Sequence, residues 1–204
     1  EGGLLVSDDA EAMARAVLLS GSYMLYERHG AAPPREVFEK VRFDTPNLSG
    51  RMDHLRAAIL RPQLADLPAQ VARWNARYRA VETEIDGVTG LATIPRPEKE
   101  TYVGSSIQFL MPGLTAAGIA GFVARCAARG VELKWFGADE PVGFTSRYDH
   151  WRYAPSAALP QTDRVLAGLL DMRLPLTFSR DDCALIGRII ADEARAINER
   201  RAAE

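Results

Sequence analysis

From Met52 to Ile85 the apolar side chains recur at steps of three and four, and this stretch constrains the fold more than any other. Met52, Leu55 and Ile59 share one face, and Val71, Trp74, Tyr78, Val81 and Ile85 carry the series on until Asp86-Gly87 ends it. Pro62 and the Leu67-Pro68 pair interrupt or kink the run, so the pattern predicts a kinked or paired helix of roughly 35 residues. That is more helix than a small domain needs for itself. The stripe is either the core face of the chain's own domain or a face shared with a partner subunit or a further domain. In the second case Trp74 and Tyr78 are exposed in the isolated chain.

The rest of the 204 residues arrange themselves around this element, with room for one to one and a half domains. Ahead of it, Leu4 to Ser7 reads as a short strand. Asp8 can cap a helix through Met13, Ala16, Val17 and Ser20, with Glu11 at its third position. Gly30 to Gly50 holds Pro33, Pro34, Pro46, Asn47 and Ser49 and reads as loop, with a short element around Val37-Phe38. Residues 1–50 are therefore expected to be extended and to lack a closed core. After the long helix the period changes. Val103, Ser105, Ile107, Phe109 and Met111 alternate as a strand, and Ile119, Phe122, Val123 and Cys126 line a helix that stops at Gly130. Val131 to Phe136 is a second strand, Val165, Leu166 and Leu169 mark a helix, and Leu174 to Phe178 is a third strand. Ser179 and Asp182 cap a closing helix through Cys183, Ile186, Ile190 and Ile197. The class is α/β, with helices covering a three-stranded sheet.

Composition excludes several functions. Twenty-five basic against 27 acidic residues leave a formal charge of -2, which gives no field to hold a nucleic acid. No apolar run is long enough to span a membrane. His29, His54 and His150 are scattered, so no metal spacing is present. Cys126 and Cys183 fall inside helical patterns, which fits a reducing, cytoplasmic setting.

Two segments can carry binding chemistry. Between the second strand and the next helix, Gly137 to Pro160 has no periodicity, and loops that long in compact domains are usually functional. It contains Arg147, His150 and Trp151, which together can clamp a polar or anionic small molecule by forked hydrogen bonds, imidazole and indole face. Lys134, alternating with Leu133 and Trp135 on the preceding strand, is the poorer candidate for that contact. The second segment, Asp44 to Asp53, places Asn47, Ser49 and Arg51 just before the long helix, where side chains and backbone N–H groups can converge on an oxyanion. A plain cap and turn is the alternative.

The stretch Glu1-Gly2-Gly3-Leu4-Leu5-Val6-Ser7-Asp8-Asp9, the run Asn47-Leu48-Ser49-Gly50-Arg51-Met52-Asp53-His54-Leu55-Arg56 with Gln63-Leu64 behind it, and Leu159-Pro160-Gln161-Thr162-Asp163-Arg164-Val165 through Leu174-Pro175-Leu176-Thr177 follow one another in an order that resembles the DegT/DnrJ/EryC1/StrS aminotransferases. The resemblance implies the aspartate aminotransferase type I fold, here a small C-terminal domain plus part of the large domain. Residues 1–50 would be a remnant of the cofactor domain with its interface loop, 51–86 long kinked connecting helices, and 87–204 the small α/β domain. It implies pyridoxal 5'-phosphate as cofactor, a homodimer with the active site at the interface, and amino transfer from glutamate or glutamine to a keto sugar or cyclitol. A sugar dehydratase of the same family, or a non-catalytic partner module on the same scaffold, are the alternatives.

The family's catalytic lysine lies a few residues ahead of a Gly-Glu-Gly-Gly stretch, and this sequence starts at that Glu. Lys40, Lys99 and Lys134 do not match its position, so the chain is expected to carry no catalytic residue and to be part of a longer protein. In the family an Asn two residues before Arg-Met reaches the cofactor phosphate. Here Ser49 stands at that spacing and Asn47 lies two residues earlier, so the cofactor contacts implied are Asn47, Ser49 and Arg51, with Ser49 and Asn47 as alternatives for the Asn role. The loop around Arg147, His150 and Trp151 departs from the family's usual histidine near a Tyr-Pro, which implies a changed acceptor.

Overall fold

The computed structural model describes residues 3–21, 24–140, 147–155 and 157–203, with side chains through residue 200. The Glu1-Gly2 start of the motif above and residues 141–146 of the long loop lie outside the described residues. The chain divides into two compact units, Glu1–Leu67 and Pro68–Glu204.

In the first unit, helix α1 (Ala10–Leu19) begins where the Asp9 carboxylate accepts the N–H groups of Glu11 and Ala12. The cap is thus Asp9 rather than Asp8, because Asp9 is the residue whose side chain folds back onto the first turn. A one-turn 3-10 helix (Tyr26–Arg28) and α2 (Arg35–Val41) follow. Ala14, Val17 and Leu18 of α1 meet Tyr26, Phe38 and Val41, all buried, with the Tyr26 and Phe38 rings 4.5 Å apart. This small closed core corrects the expectation that residues 1–50 have none: the i, i+3, i+4 positions of two short helices suffice to close it. Leu4 to Ser7 is not a strand. No strand pairs with it among the described residues, and Leu4, Leu5 and Val6 are exposed.

Helix α3 (His54–Ile85) realises the long periodic run as one element of 32 residues, opened by the Asp53 carboxylate accepting the Arg56 N–H at 2.8 Å. Pro62 and Pro68 do not end it. Each removes one backbone donor, but the carbonyls left over belong to exposed residues, Ala58 and Leu64, where water can take them.

In the second unit the stripe on α3 faces the unit's own core: Tyr78, Val81 and Ile85 are buried and Trp74 is half-buried. The prospect of an exposed Tyr78 is thereby overturned. A four-stranded antiparallel sheet stands where three strands are expected. It is built from β1 (Ala92–Thr93), β2 (Ser106–Leu110), β3 (Lys134–Trp135) and β4 (Leu169–Arg173) in the order β1-β2-β4-β3. Two-residue β1 is too short to leave a periodicity. β3 covers only part of Val131–Phe136. The third expected strand is displaced: β4 occupies 169–173, while 174–178 is turn. Pro175 has no N–H to offer a ladder, and Arg77 takes the Leu176 and Phe178 carbonyls at 3.1 and 2.6 Å.

Helix α4 (Ala116–Ala128) is capped by Thr115 and leads to Gly130 at φ +83°, a left-handed position that glycine occupies without strain. Helix α5 (Pro160–Gly168) opens on proline, and α6 (Arg180–Ala203) is started by the reciprocal Ser179/Asp182 box, with bonds of 2.8 and 3.0 Å. Ile107, Phe109, Leu170 and Met172 point from the sheet into a core shared with Phe122, Cys126, Ile190 and Ala194. The opposite sheet face carries Ser106, Gln108, Asp171 and Lys134, which positions polar chemistry on the side away from the helices.

Candidate functional site

The loop before α3 belongs to the first unit, and its position is set by the carboxyl end of α1. The N–H groups of Leu48 and Arg51 donate to the Leu19 and Ser20 carbonyls, both at 3.0 Å. The Asn47 Oδ1 accepts the Ser49 N–H at 2.8 Å and lies 3.4 Å from Ser49 Oγ. Ser49 is held at φ 50°, the left-handed region, and a Cβ on Gly21 would approach Ser49 Cα to 3.3 Å. Asn47, Ser49 and Arg51 are therefore brought together on an exposed loop, but the backbone N–H groups of residues 48, 49 and 51 are already engaged. The side-chain donors the loop offers beside them are the Asn47 amide, the Ser49 hydroxyl and the Arg51 guanidinium. Those donors suit a phosphate monoester.

The second unit has two separate candidate places. A cavity of about 760 Å³ lies against the sheet face away from the helices, lined by Gln108, Glu132, Lys134, Phe136, Asp171 and Arg173 among others. Across three strands Gln108, Asp171 and Lys134 stand in register. Gln108 Nε2 donates to Asp171 Oδ1 at 2.7 Å, and the Lys134 ammonium lies 4.8 Å from the Phe136 ring centre. Lys134 thus joins a polar row that includes Gln108, Asp171 and Arg173, none of which stands out in sequence. Only the strand register groups them.

Arg147 lines a different, smaller cavity of about 220 Å³ with Gly137, Asp163, Leu166 and Ala167. Its Nε and Nη2 donate to the two Asp149 oxygens at 3.0 and 2.6 Å, and Nη1 lies 3.8 Å from Asp139. This fork holds the Asp149 carboxyl below its ordinary pKa and the Arg147 guanidinium above its own. Tyr148, on the 3-10 turn Tyr148–His150, makes a hydrogen bond to Asp163 at 3.2 Å and receives the Leu159 N–H at 3.2 Å; burial first, then Asp163, raises its phenol pKa. His150 Nδ1 is buried without a hydrogen-bond partner among the described residues. Trp151 and Tyr153 stack 5.7 Å apart at 16°. The structure brings Arg147, His150 and Trp151 into one short segment and leaves Lys134 in the other cavity. Among the described residues no group of His, Cys, Asp and Glu stands ready to hold a metal ion, and no described helix is long and apolar enough to cross a membrane.

The sequence pattern of the DegT/DnrJ/EryC1/StrS aminotransferase family matches residues 1–190, and the chain belongs to that family. Its α/β fold is that of part of solved aminotransferase-family structures. It matches 3-amino-5-hydroxybenzoic acid synthase at 17% identity and TM-score 0.62, over 93% of this chain and 48% of that one. It also matches the aminotransferase TlmJ from Streptoalloteichus hindustanus at 20% identity and TM-score 0.57, over 69% and 36%. An aminotransferase of the family from Brucella abortus matches at 17% identity and TM-score 0.55, over 79% and 44%. The chain spans less than half the length of each of these three. Among curated protein sequences none matches it.

Proposed function

We propose that this chain supplies part of a pyridoxal-phosphate-dependent enzyme that moves an amino group from glutamate or glutamine to a keto sugar or cyclitol, working in the cytoplasm as a homodimer. The observation that carries the reading is the family pattern running through residues 1–190. Residues 1–50 would belong to the cofactor domain with its interface loop, 51–86 would connect, and 87–204 would be the small domain.

Asn47, Ser49 and Arg51 would hold the cofactor phosphate through their side chains, since the backbone N–H groups of Leu48, Ser49 and Arg51 are engaged. When bound, the cofactor supplies an electron sink that lets an amino group leave one carbon and join another. The segment with Arg147, His150 and Trp151 would form a wall of the substrate site, and Lys134 would reach solvent-borne groups from the sheet face. None of Lys40, Lys99 and Lys134 is assigned to bond the cofactor.

The test is direct. The gene around Glu1 is read for a lysine a few residues upstream, and the protein it encodes is assayed with isotopically labelled glutamate and a panel of keto sugars. Product carrying the label supports the reading; a deoxygenated product without nitrogen favours the dehydratase, and no turnover with a start codon next to Glu1 favours a non-catalytic module. On the 204-residue chain itself, borohydride reduction with the cofactor is expected to leave no stoichiometric lysine adduct.

A further inference from the structure

Lys134 and Asp171 face each other across β3 and β4, a placing in which opposite charges ordinarily pair, yet these two form no ion pair. Gln108 engages one Asp171 oxygen from β2 at 2.7 Å, and the Lys134 ammonium lies over the Phe136 ring, 4.8 Å from its centre. The two charges are thus drawn apart. The next row of the same sheet face carries Arg173 opposite Ser106, two residues along β4 and so roughly 7 Å further on. Among the described residues neither Arg173 nor Glu132 has an ion-pair partner.

All four charges line the cavity of about 760 Å³ on the outer sheet face. Two cations and two carboxylates leave no net charge there. A plain anion would meet Lys134 and Arg173 but sit against Asp171 and Glu132, and a plain cation would meet the reverse, the like-charge contacts that reject a partner. A molecule carrying both signs on one carbon meets each with its opposite. The rest of the lining includes Phe136, Pro175 and Phe178. That wall is fixed from behind, because Arg77 on α3 donates to the Phe178 and Leu176 carbonyls at 2.6 and 3.1 Å. Apolar walls with a few convergent polar groups are the make-up of a small-molecule site.

We propose that this cavity binds a free α-amino acid with an apolar side chain. Asp171 takes the ammonium on Oδ2, the oxygen that Gln108 leaves free, Lys134 and Arg173 take the carboxylate, and the side chain lies against Phe136 and Phe178. Glutamate and glutamine fit less well, since each would bring a polar group onto the rings. The site is made of residues of the second unit, so failure of labelled nitrogen transfer in the longer protein would leave it in place.

Isothermal titration calorimetry on the 204-residue chain tests this with four probes: L-phenylalanine, phenethylamine, which lacks the carboxylate, phenylpropanoate, which lacks the ammonium, and L-glutamate. Phenylalanine is expected to bind. Each of the other three should bind about tenfold more weakly or worse, the size of one lost hydrogen bond to a charged group.

The variants should respond crosswise. Lys134→Met should weaken phenylalanine about tenfold and leave phenethylamine unchanged, whereas Asp171→Asn should weaken phenylalanine by a similar factor and leave phenylpropanoate unchanged. Both positions lie on the outer sheet face, so the circular dichroism spectrum should stay that of the unaltered chain. Arg173→Met, at an exposed position, should reproduce the Lys134→Met pattern and keeps the test decisive if Lys134→Met folds poorly. The proposal is overturned if phenylalanine does not bind at millimolar concentration, if phenethylamine or phenylpropanoate binds as tightly, if glutamate binds more tightly, or if both Asp171→Asn and Arg173→Met leave phenylalanine binding unchanged.

Discussion

The two compact units solve the problem of burial differently. The second closes a sheet and helices over Tyr78, Ile107, Phe109, Phe122, Leu170 and Ile190, each at most 1% exposed, and keeps its polar chemistry on the outer sheet face and one loop. The first buries a cluster of six residues around Phe38 and leaves Leu4, Leu5, Val6, Phe43, Leu48, Leu55 and Ile59 each more than half exposed. A domain that exposes so much apolar surface is either adhesive or covered by something else. The second unit has the makings of independent stability, and the first has a nucleus with an unfinished surface.

The largest effect should come from the deeper core. Phe109→Ala, at a position with no solvent exposure, is expected to cost about 3–5 kcal/mol, read as a lower urea midpoint and faster amide exchange in β2 and β4. Phe38→Ala should stay near the low end of that range, about 3 kcal/mol, because a small cluster between two short helices can partly collapse, and the exchange it speeds should be confined to α1 and α2. Unchanged exchange in α1 and α2 would mean that the first unit has no core worth the name, and the contrast would sharpen into folded against unsupported.

A close backbone approach comes next. A Cβ on Gly104 would lie 2.5 Å from Tyr78 Cβ, and the Asn75 amide ties this stretch to α3 through the Gly104 N–H at 2.7 Å and the Tyr102 carbonyl at 3.0 Å. Gly104→Ala should cost about 1–3 kcal/mol by overpacking, measured by the same denaturation. A neutral result would show that the segment over α3 is loosely held and that the second unit is less tightly closed than its core suggests.

The sequence made some of this legible and concealed the rest for identifiable reasons. The α6 capping box and the α4 stripe are local and periodic, so both can be read directly. The core of the first unit was hidden because its members are spread over α1, a 3-10 turn and α2, separated by Gly30, Pro33 and Pro34, which read as loop. β4 was misplaced because Leu169 and Leu170 extend the helical spacing of Val165 and Leu166, and the alternation that marks the strand starts only inside that overlap. In the candidate sites the residue types around Arg147 were visible, but its pairing with Asp149 and the separation of Lys134 into another cavity depend on register and loop closure, which spacing does not encode.

A smaller effect tests the end of the second unit. Ser179→Ala should cost about 1 kcal/mol through loss of the cap on the Asp182 N–H. Asp182 has its pKa lowered first by the Ser179 backbone N–H and then by the hydroxyl. The sign follows: a depressed carboxyl contributes stability above its unfolded pKa, and that contribution is lost as pH falls through the lower folded value, so the window lies below the ordinary aspartate range. Ser179→Ala keeps the backbone N–H and should keep most of the acid sensitivity, whereas Asp182→Asn should remove it. Equal acid profiles for the two variants would place the dominant contact on the hydroxyl instead.

The smallest change in stability, and the sharpest contrast between the units, belongs to the exposed stretch of α3. Leu55 is 72% and Ile59 56% exposed, and both sit four residues apart on one face of the helix within the first unit. Leu55→Ser with Ile59→Ser removes little buried area, so the unfolding free energy should shift by no more than about 0.5 kcal/mol. Self-association is expected to fall all the same, because exposed apolar surface of this kind drives contact between copies. Sedimentation velocity across a concentration series should therefore show a lighter distribution for the double variant than for the unaltered chain, with the two urea curves superimposable. A loss above about 1 kcal/mol would mean that Leu55 and Ile59 pack within the first unit, since surface substitutions away from special features cost less than that. Identical sedimentation would mean that the stripe is inert in water, and the difference between the two units would then be one of core size alone.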